Sequence, residues 1–246
     1  MPEPNRSAHA MYGERAELYD LLYHWKDYAA ESERLHALLA AEGVPDGAQV
    51  LDAACGTGAH LVHLARWYHA SGFDLEPAML AVARRKLPEA ELFEADLRTF
   101  RVQRPVRAVV CLFSAIGYLR TEGELRQAAA RFAAALAPGG VLVVEPWLAP
   151  GDFRPGYASM QTYDAPELKL CRQCVAAAAG DVSVLDLHWL VARAGAGVEH
   201  FVERHELWLC PHADHCMPGF RKALTPLGPA ARGAQPRRRP MKRPTA

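Results

Sequence analysis

Over its first 150 residues the chain alternates short apolar runs with amphipathic stretches. Residues 27–42, DYAAESERLHALLAAE, set Tyr28, Leu35, Leu38 and Leu39 at helical spacing and close before Gly43 and Pro45, which predicts a helix. Residues 49–54 form a short apolar run suited to a buried strand, followed at once by Gly56 and Gly58. Residues 60–68 then predict a helix, 70–74 a strand, and 77–86 a helix with proline in its first turn. A short strand is expected at 91–94, and the Val/Leu/Phe run at 106–113 reads as a strand covered on both faces. The alanine-rich stretch 122–136 predicts a helix stopped by Pro138-Gly139-Gly140, with a further buried strand at 141–145. Strands alternating with helices to about residue 147 imply an α/β fold with a doubly wound, mostly parallel, Rossmann-like sheet.

After Trp147 the rhythm changes. Residues 157–209 alternate (Val182, Val184, Leu187 and Trp189; then Phe201, Leu207 and Leu209), as expected of an antiparallel β insertion lying over the sheet. The expected organisation is an N-terminal lid segment and helix (1–46), a core (47–150), the insertion (151–211), a short helix (212–224) and a tail (225–246). Prolines and arginines dominate that tail and no apolar face remains, so disorder is expected there.

The length of 246 residues and 50% hydrophobic content are enough for one substantial core. A formal net charge of zero argues for neither nucleic acid nor membrane as a partner. That zero conceals an asymmetry, because eight of the 28 Lys and Arg, and no acid, lie between Met217 and the end. No aromatic residue interleaves the arginines of the tail, so a solvated tail is preferred to a nucleic-acid contact. The first residues lack the apolar core of a signal peptide, and Arg131, Pro138 and Pro146 interrupt the best candidates for a membrane span. The protein is therefore expected in the cytoplasm, with its six cysteines as thiols.

The segment with most chemistry is Val50-Leu51-Asp52-Ala53-Ala54-Cys55-Gly56-Thr57-Gly58. A buried strand delivers Asp52 to its carboxyl end and a glycine bend leads into a helix, the crevice where open α/β sheets bind ligands. Glycine lets backbone approach a ligand, and a helix N-terminus favours a negative group. Two more acids follow the next two strands: Asp74 in Gly72-Phe73-Asp74-Leu75, suited to ribose hydroxyls, and Asp96 in Glu94-Ala95-Asp96-Leu97, suited to an adenine amino group. S-adenosylmethionine fits this set, since Asp52 suits its cationic portion. A nicotinamide site fits poorly: Leu61 stands where the third glycine belongs, and Asp52 would repel a pyrophosphate.

VLDAACGTGAHL, GFDLEPAML, the later Asp96 and LAPGGVLVVEPW resemble the successive motifs of class I S-adenosylmethionine-dependent methyltransferases. More narrowly, MYGERAELYDLLYHWKDYAAE, VVCLFSAIGYL and VVVEPWLAPGDFRPGY resemble the N,N-dimethyltransferases that act on nucleotide-linked 3-amino sugars in macrolide-sugar biosynthesis. The broad resemblance covers residues 12–150 and the narrower one extends more weakly to about Phe220. It implies that Tyr19 and Lys26 close over the methyl donor, and that the Ala53 backbone holds its methionine end with Gly56, Gly58 and Met79 nearby. By the same resemblance Asp74 holds the ribose, Asp96 and Leu97 the adenine, and Leu112 lines the pocket. Tyr12, Ser114 and Tyr118 would face the acceptor, with Glu145 and Trp147 beside them; Tyr118 and Tyr12 are the catalytic candidates. A phenol, with a pKa of about 10, is a weak base, so an orienting role is favoured for Tyr118.

One departure stands out. Relatives end with a helix and two more strands, the last preceded by Gly-Arg-Gly, whereas KALTPLGPAARGAQPRRRPMKRPTA follows Phe220 here without strand periodicity. The sheet is therefore expected to lack its last two strands. The implied function is methylation of a small molecule, N-methylation of a nucleotide-linked amino sugar in the narrower form, with a homodimer left open. The alternatives carried are a donor-binding protein with lost or altered activity, and an O-methyltransferase on another metabolite. Cys171-x-x-Cys174 with Cys210, His212, His215 and Cys216 has tolerable, then irregular, zinc spacing, and no metal is assigned. His60, His63 and His69 are expected at the surface or in packing.

Overall fold

In the computed structural model, which describes residues 5–7 and 15–210, the two strongest apolar runs become the centre of a parallel sheet. In chain order the elements are β1 (Asn5–Ser7), α1 (Ala16–Leu22), α2 (Tyr28–Ala41), β2 (Gln49–Ala53), α3 (Leu61–Leu64), β3 (His69–Asp74), α4 (Pro77–Lys86), β4 (Leu92–Glu94) and β5 (Val106–Cys111). A 3₁₀ turn (Ala115–Tyr118), α5 (Glu122–Ala135), β6 (Leu136–Val144), β7 (Ala158–Asp164), β8 (Leu168–Ala179), β9 (Val182–Arg193) and β10 (Gly197–Trp208) follow. The first sheet runs β4-β3-β2-β5-β6 with every pair parallel, and among the described residues it ends at β6. The order reverses between β2 and β3 on one side and β5 on the other, so the carboxyl ends of these strands form the switch-point crevice.

Both faces of this sheet are covered. Leu35 and Leu39 of α2 pack with Val50, Ala108 and Val110 on one side, while Ala128 and Phe132 of α5 pack with Leu51, Phe73 and Val109 on the other. That two-sided burial explains why the runs at β2 and β5 are continuous rather than alternating.

The second sheet has the order β1-β10-β9-β8-β7, antiparallel except for β1 against β10. Its inner face carries Leu170, Leu187, Trp189, Val191 and Phe201, which close over Leu18 and Leu22 of α1. On its other side α1 meets α4, with Ala16 and Tyr19 against Met79 and Val82. This one helix therefore ties the insertion to the core.

Two sequence expectations shift, and one element was not anticipated. The helix expected over 60–68 is a single turn, α3: beyond Leu64 the chain tightens to i→i+3 bonds (Arg66 to His63, Trp67 to Leu64) because His69 must already pair with Ala48. The strand expected at 141–145 starts earlier, and Pro138-Gly139-Gly140 lie within β6, where the pairing with β5 shifts register between Val106 and Ala108. Helix α1 had no prediction of its own; it is seven residues long and its N-cap, Arg15, offers no side-chain cap. The expected short helix at 212–224, the tail and any last strands lie outside the described residues.

Candidate active site

β2 ends at Ala53, which is fully buried, and the chain then bends through Ala54, Gly56 and Gly58 with φ of 62°, 54° and 73°. This is the left-handed region that glycine enters without strain. The bend is also tightly packed, since a Cβ on Gly58 would stand 3.2 Å from Cβ of Ala83 and one on Gly56 3.4 Å from Cε of Met79.

Asp52 is 2% exposed, it lies beside Gly72 of β3, and no described residue hydrogen-bonds its carboxyl group. Burial, and then the charge of Asp74, push that carboxyl up to about 8. A carboxylate in such a place favours a cationic ligand. Asp74 closes β3, where its Oδ2 accepts the Gly56 N–H at 2.8 Å and its Oδ1 the Glu76 N–H at 3.0 Å. Burial raises its pKa against those bonds.

The Ala95 N–H donates to the Asp74 carbonyl at 3.0 Å, which sets Asp96 next to that strand end. Asp96 differs from the other two because Arg98 holds it, with Nε at 2.9 Å, Nη2 at 2.5 Å and the backbone N–H at 2.8 Å. Arg98 reaches on to Glu124 at 2.7 Å, and its bonds keep the Asp96 carboxyl below the usual range. Leu97 beside it is half-buried against the α5-side core. Thus the three strand-end acids gather at one edge of the sheet, with Asp52 unneutralised and Asp96 already paired.

At the end of β5, Leu112 is buried with Leu35, Leu39 and Val110. Phe113 and Ser114 follow with φ of 52° and 61°, two successive side chains in the left-handed region. Glu145 fixes this turn by accepting the Phe113 N–H at 2.8 Å, and Ser114 Oγ donates to the Pro146 carbonyl at 3.0 Å. Trp147 donates from Nε1 to Ser183 Oγ at 2.8 Å. Its Cβ lies 2.8 Å from where a Cβ on Gly117 would fall, so the 3₁₀ turn sits directly against it. The Tyr118 hydroxyl is hydrogen-bonded to Nδ1 of His205, and His205 Nε2 lies 3.2 Å from Glu203 Oε2.

From the N-terminal side, Tyr19 packs with Met79 and its ring lies 4.7 Å from that of Tyr23, which meets Phe113 edge-on at 5.1 Å. Lys26 is buried, paired with Glu31, and stands 4.9 Å above the Phe113 ring. Glu31 also bonds His60 Nε2 at 2.9 Å. Burial works to raise the Glu31 pKa, but the bonds from His60 and Lys26 outweigh it and bring it down, while burial lowers that of His60. Asp20 accepts from Thr57 Oγ1 at 2.6 Å and pairs with Lys86 at 2.5 Å, tying α1 to the glycine bend and α4.

The structure therefore brings together Tyr19, Lys26, Asp52, Ala53, Gly56, Gly58, Asp74, Met79, Asp96, Leu97, Leu112, Ser114, Tyr118, Glu145 and Trp147 around the carboxyl ends of β2 to β6; Tyr12 lies outside the described residues. Asp20, Glu31, Arg98, Glu203 and His205 were not anticipated: Thr57, His60 and Tyr118, partners of Asp20, Glu31 and His205, lie 37, 29 and 87 residues away, and Arg98 and Glu203 carry no motif. Cys171 and Cys174 sit three apart on β8, hence on opposite faces, and His212, His215 and Cys216 lie outside the described residues.

Residues 50–140 match the family described as "Methyltransferase domain". The chain is 40% identical to the dTDP-3-amino-3,6-dideoxy-alpha-D-glucopyranose N,N-dimethyltransferase of Streptomyces fradiae over 228 residues, 90% of this chain and 89% of that one. Among solved structures it is similar to Streptomyces venezuelae DesVI (TM-score 0.77, 39% identity, 82% of this chain and 86% of that chain). It is also similar to SAM-bound CalS10, an amino pentose methyltransferase from Micromonospora echinaspora (TM-score 0.73, 36% identity, 80% of this chain and 84% of that chain). With its glycine bend, strand-end acids and five-stranded parallel sheet, the chain belongs to the S-adenosylmethionine-dependent methyltransferases, in the branch of the amino-sugar N,N-dimethyltransferases.

Proposed function

We propose that the chain transfers a methyl group from S-adenosylmethionine to the amino group of a nucleotide-linked amino sugar. The observation that carries this reading is Asp52, a buried carboxyl without a described donor at the head of a glycine bend. When bound, S-adenosylmethionine supplies a methyl carbon activated by a sulfonium, and its positive charge answers Asp52. In this reading the backbones of Ala53, Gly56 and Gly58 approach the methionine end, with Met79 packed beneath. Asp74 keeps lone pairs for the ribose hydroxyls, Asp96 and Leu97 take the adenine, Tyr19 and Lys26 close from above, and Leu112 is the floor.

Ser114, Tyr118, Glu145, Trp147 and Tyr12 form the acceptor side. Their work is chiefly orientation: holding nucleophile and methyl in line contributes up to about 7–11 kcal/mol to lowering the barrier. The strained Phe113–Ser114 turn, fixed by Glu145, gives that side its rigidity. The amino-sugar assignment draws its support from relatives 36–40% identical across most of the chain, all named for amino-sugar or amino-pentose methylation.

No helix among the described residues is long and apolar enough to cross a membrane. We place the enzyme in the cytoplasm, where a charged methyl donor and a nucleotide-linked sugar meet, without a nucleic-acid partner. We also propose a homodimer, formed on the outer face of the second sheet, where Met160, Val175, Leu190 and Val198 are exposed. The test of function is incubation of purified protein with S-adenosylmethionine and dTDP-3-amino-3,6-dideoxy-α-D-glucopyranose, followed by mass spectrometry. Addition of one or two methyl groups is expected; donor binding without methylation would transfer the assignment to another acceptor or to a protein that binds without turnover.

A further inference from the structure

Glu124, in the first turn of α5, divides its carboxylate between the two halves of the site. Thr121 caps this helix, its Oγ1 accepting the Glu124 N–H at 3.1 Å. Glu124 Oε2 reaches back and accepts the backbone N–H of Arg120 at 2.9 Å, one residue before the cap. A Thr-x-x-Glu helix opening favours such an exchange, and it accounts for one oxygen. The other oxygen, Oε1, accepts from Arg98 Nη1 at 2.7 Å, a bond that no helix cap calls for.

On the donor side, Arg98 and Asp96 move as one. Arg98 donates to both Asp96 oxygens, from Nε at 2.9 Å and Nη2 at 2.5 Å, and a planar fork of this kind fixes the direction of a carboxylate. The Thr99 and Phe100 N–H groups close the turn on the Asp96 carbonyl at 3.0 and 2.9 Å, and the buried Phe100 ring stacks on Phe73 at 4.5 Å. On the acceptor side, Arg120 follows Tyr118 by two residues and pairs through its side chain with Glu206 of β10. A Cβ on Gly117 would lie 3.1 Å from Leu207 Cδ2, so the 3₁₀ turn is already pressed against that strand. The Arg120 N–H is the point at which α5 holds the end of this turn.

Ion pairs this open to water add little to stability: the Asp96, Arg98 and Glu124 side chains are 22%, 39% and 29% exposed. Their importance lies in connection, because Asp96, Arg98, Glu124, Arg120 and Glu206 form one continuous run of bonds from the end of β4 to β10. We infer that Glu124 is a positioning residue for both substrates, coupling the adenine end of the donor site to the turn on the acceptor side. This rests on the methyltransferase reading above, with Asp96 as the adenine contact. An adenine amino group that donates to Asp96 restrains its carboxylate, and with it the Arg98 fork, Glu124 and the Arg120 N–H. The acceptor then meets a turn that is already ordered, which is positive coupling without a change of shape. By linkage the acceptor tightens the donor site by the same factor.

Two measurements on the full chain test the coupling. The first is hydrogen exchange at the Arg120 amide, read by NMR with and without saturating S-adenosylhomocysteine. Exchange is expected to slow at least about fivefold in the wild type and to respond little in Arg98→Met and Glu124→Gln, the latter keeping an oxygen for the Arg120 N–H but no charge for Arg98. An Arg120 amide indifferent to bound S-adenosylhomocysteine in the wild type would overturn the coupling. The second is calorimetry of dTDP-3-amino-3,6-dideoxy-α-D-glucopyranose with and without S-adenosylhomocysteine, which has no methyl group to give. The wild type is expected to bind the sugar at least about fivefold more tightly when S-adenosylhomocysteine is present, and Glu124→Gln equally well in both states. A Glu124→Gln chain that is less stable yet keeps the full factor would reduce Glu124 to a helix cap and overturn the inference. A loaded wild-type chain that does not bind the sugar contradicts the amino-sugar reading instead, and the Arg120 amide then decides the coupling. Failure to bind S-adenosylhomocysteine at all contradicts the methyltransferase reading and takes the coupling with it.

Discussion

The carboxylate of Asp74 accepts the backbone N–H of Gly56 at 2.8 Å, so the second strand-end acid holds the shape of the bend that follows the first. It also bonds the Glu76 N–H, the opening of α4. Asp74→Ala leaves both donors without it. We expect a stability loss of about 1–3 kcal/mol in urea denaturation and at least a tenfold weaker affinity for S-adenosylhomocysteine by calorimetry. Unchanged affinity would remove Asp74 from the binding site.

Asp52 predicts a pH dependence of opposite sign for stability and for binding. Its folded-state pKa of about 8 lies above that of an ordinary carboxylate, so the folded chain keeps a proton that the unfolded chain loses above about pH 4. Stability therefore falls as pH rises through that window, by up to about 1.4 kcal/mol per pH unit from this group. S-adenosylmethionine, being cationic, should bind more tightly from pH 6 to 9. Asp52→Asn should melt higher than wild type at pH 8, with the gap closing toward pH 5, and should bind the donor weakly at every pH. A variant that is less stable at pH 8 would refute the burial argument.

Lys26, Glu31 and His60 form a buried polar cluster around one ion pair, beneath Phe113. Glu31→Ala strands a lysine and a histidine, a change that costs about 3–5 kcal/mol. The Glu31 pKa is depressed when folded, so its contribution is present above its unfolded value and disappears as pH falls through the folded one. The His60 pKa is depressed as well, which makes the folded state lose ground once acid protonates the unfolded chain below about pH 6.5. Denaturation of wild type and variant at pH 7.5 and 5 should show the gap narrowing in acid.

Gly58 and Gly47 separate backbone strain from packing. Both have positive φ, 73° and 79°, but a Cβ meets Ala83 at 3.2 Å at the first position and open space at the second. Gly47→Ala should cost about 1 kcal/mol and leave donor affinity intact. Gly58→Ala should cost about 2–4 kcal/mol through the added crowding and weaken binding as the bend moves. Equal costs would show that α4 yields freely.

Leu190 is 43% exposed on the outer face of the second sheet. Leu190→Glu should convert a dimer to monomer in light scattering coupled to size-exclusion chromatography. A wild-type protein that is monomeric at all loading concentrations would refute the proposed dimer face.

The core and its crevice were legible in sequence where burial or turn chemistry speaks locally. The continuous run of β5, the Pro77 that opens α4 and the glycines after Asp52 each state their own structure. The site's polar wiring was not legible. Arg98 neutralises Asp96 through geometry that a D-x-R spacing does not announce, and His205 meets Tyr118 across 87 residues once β10 folds back. The hydrogen bond by which the Glu145 carboxylate holds the left-handed turn at Phe113 was also invisible in sequence. The ion pair with Glu31 that holds Lys26 in place was likewise not announced in sequence. Sequence names the residues that gather, whereas the hydrogen bonds reveal which of them still have chemistry to spare.

Calorimetric titration of the purified chain with S-adenosylmethionine and S-adenosylhomocysteine, at pH 6 and pH 9, addresses the cradle most directly. One ligand per chain is expected for both, with the sulfonium form gaining affinity more steeply as Asp52 ionises. No heat of binding for either ligand at millimolar concentration, at either pH, would contradict it.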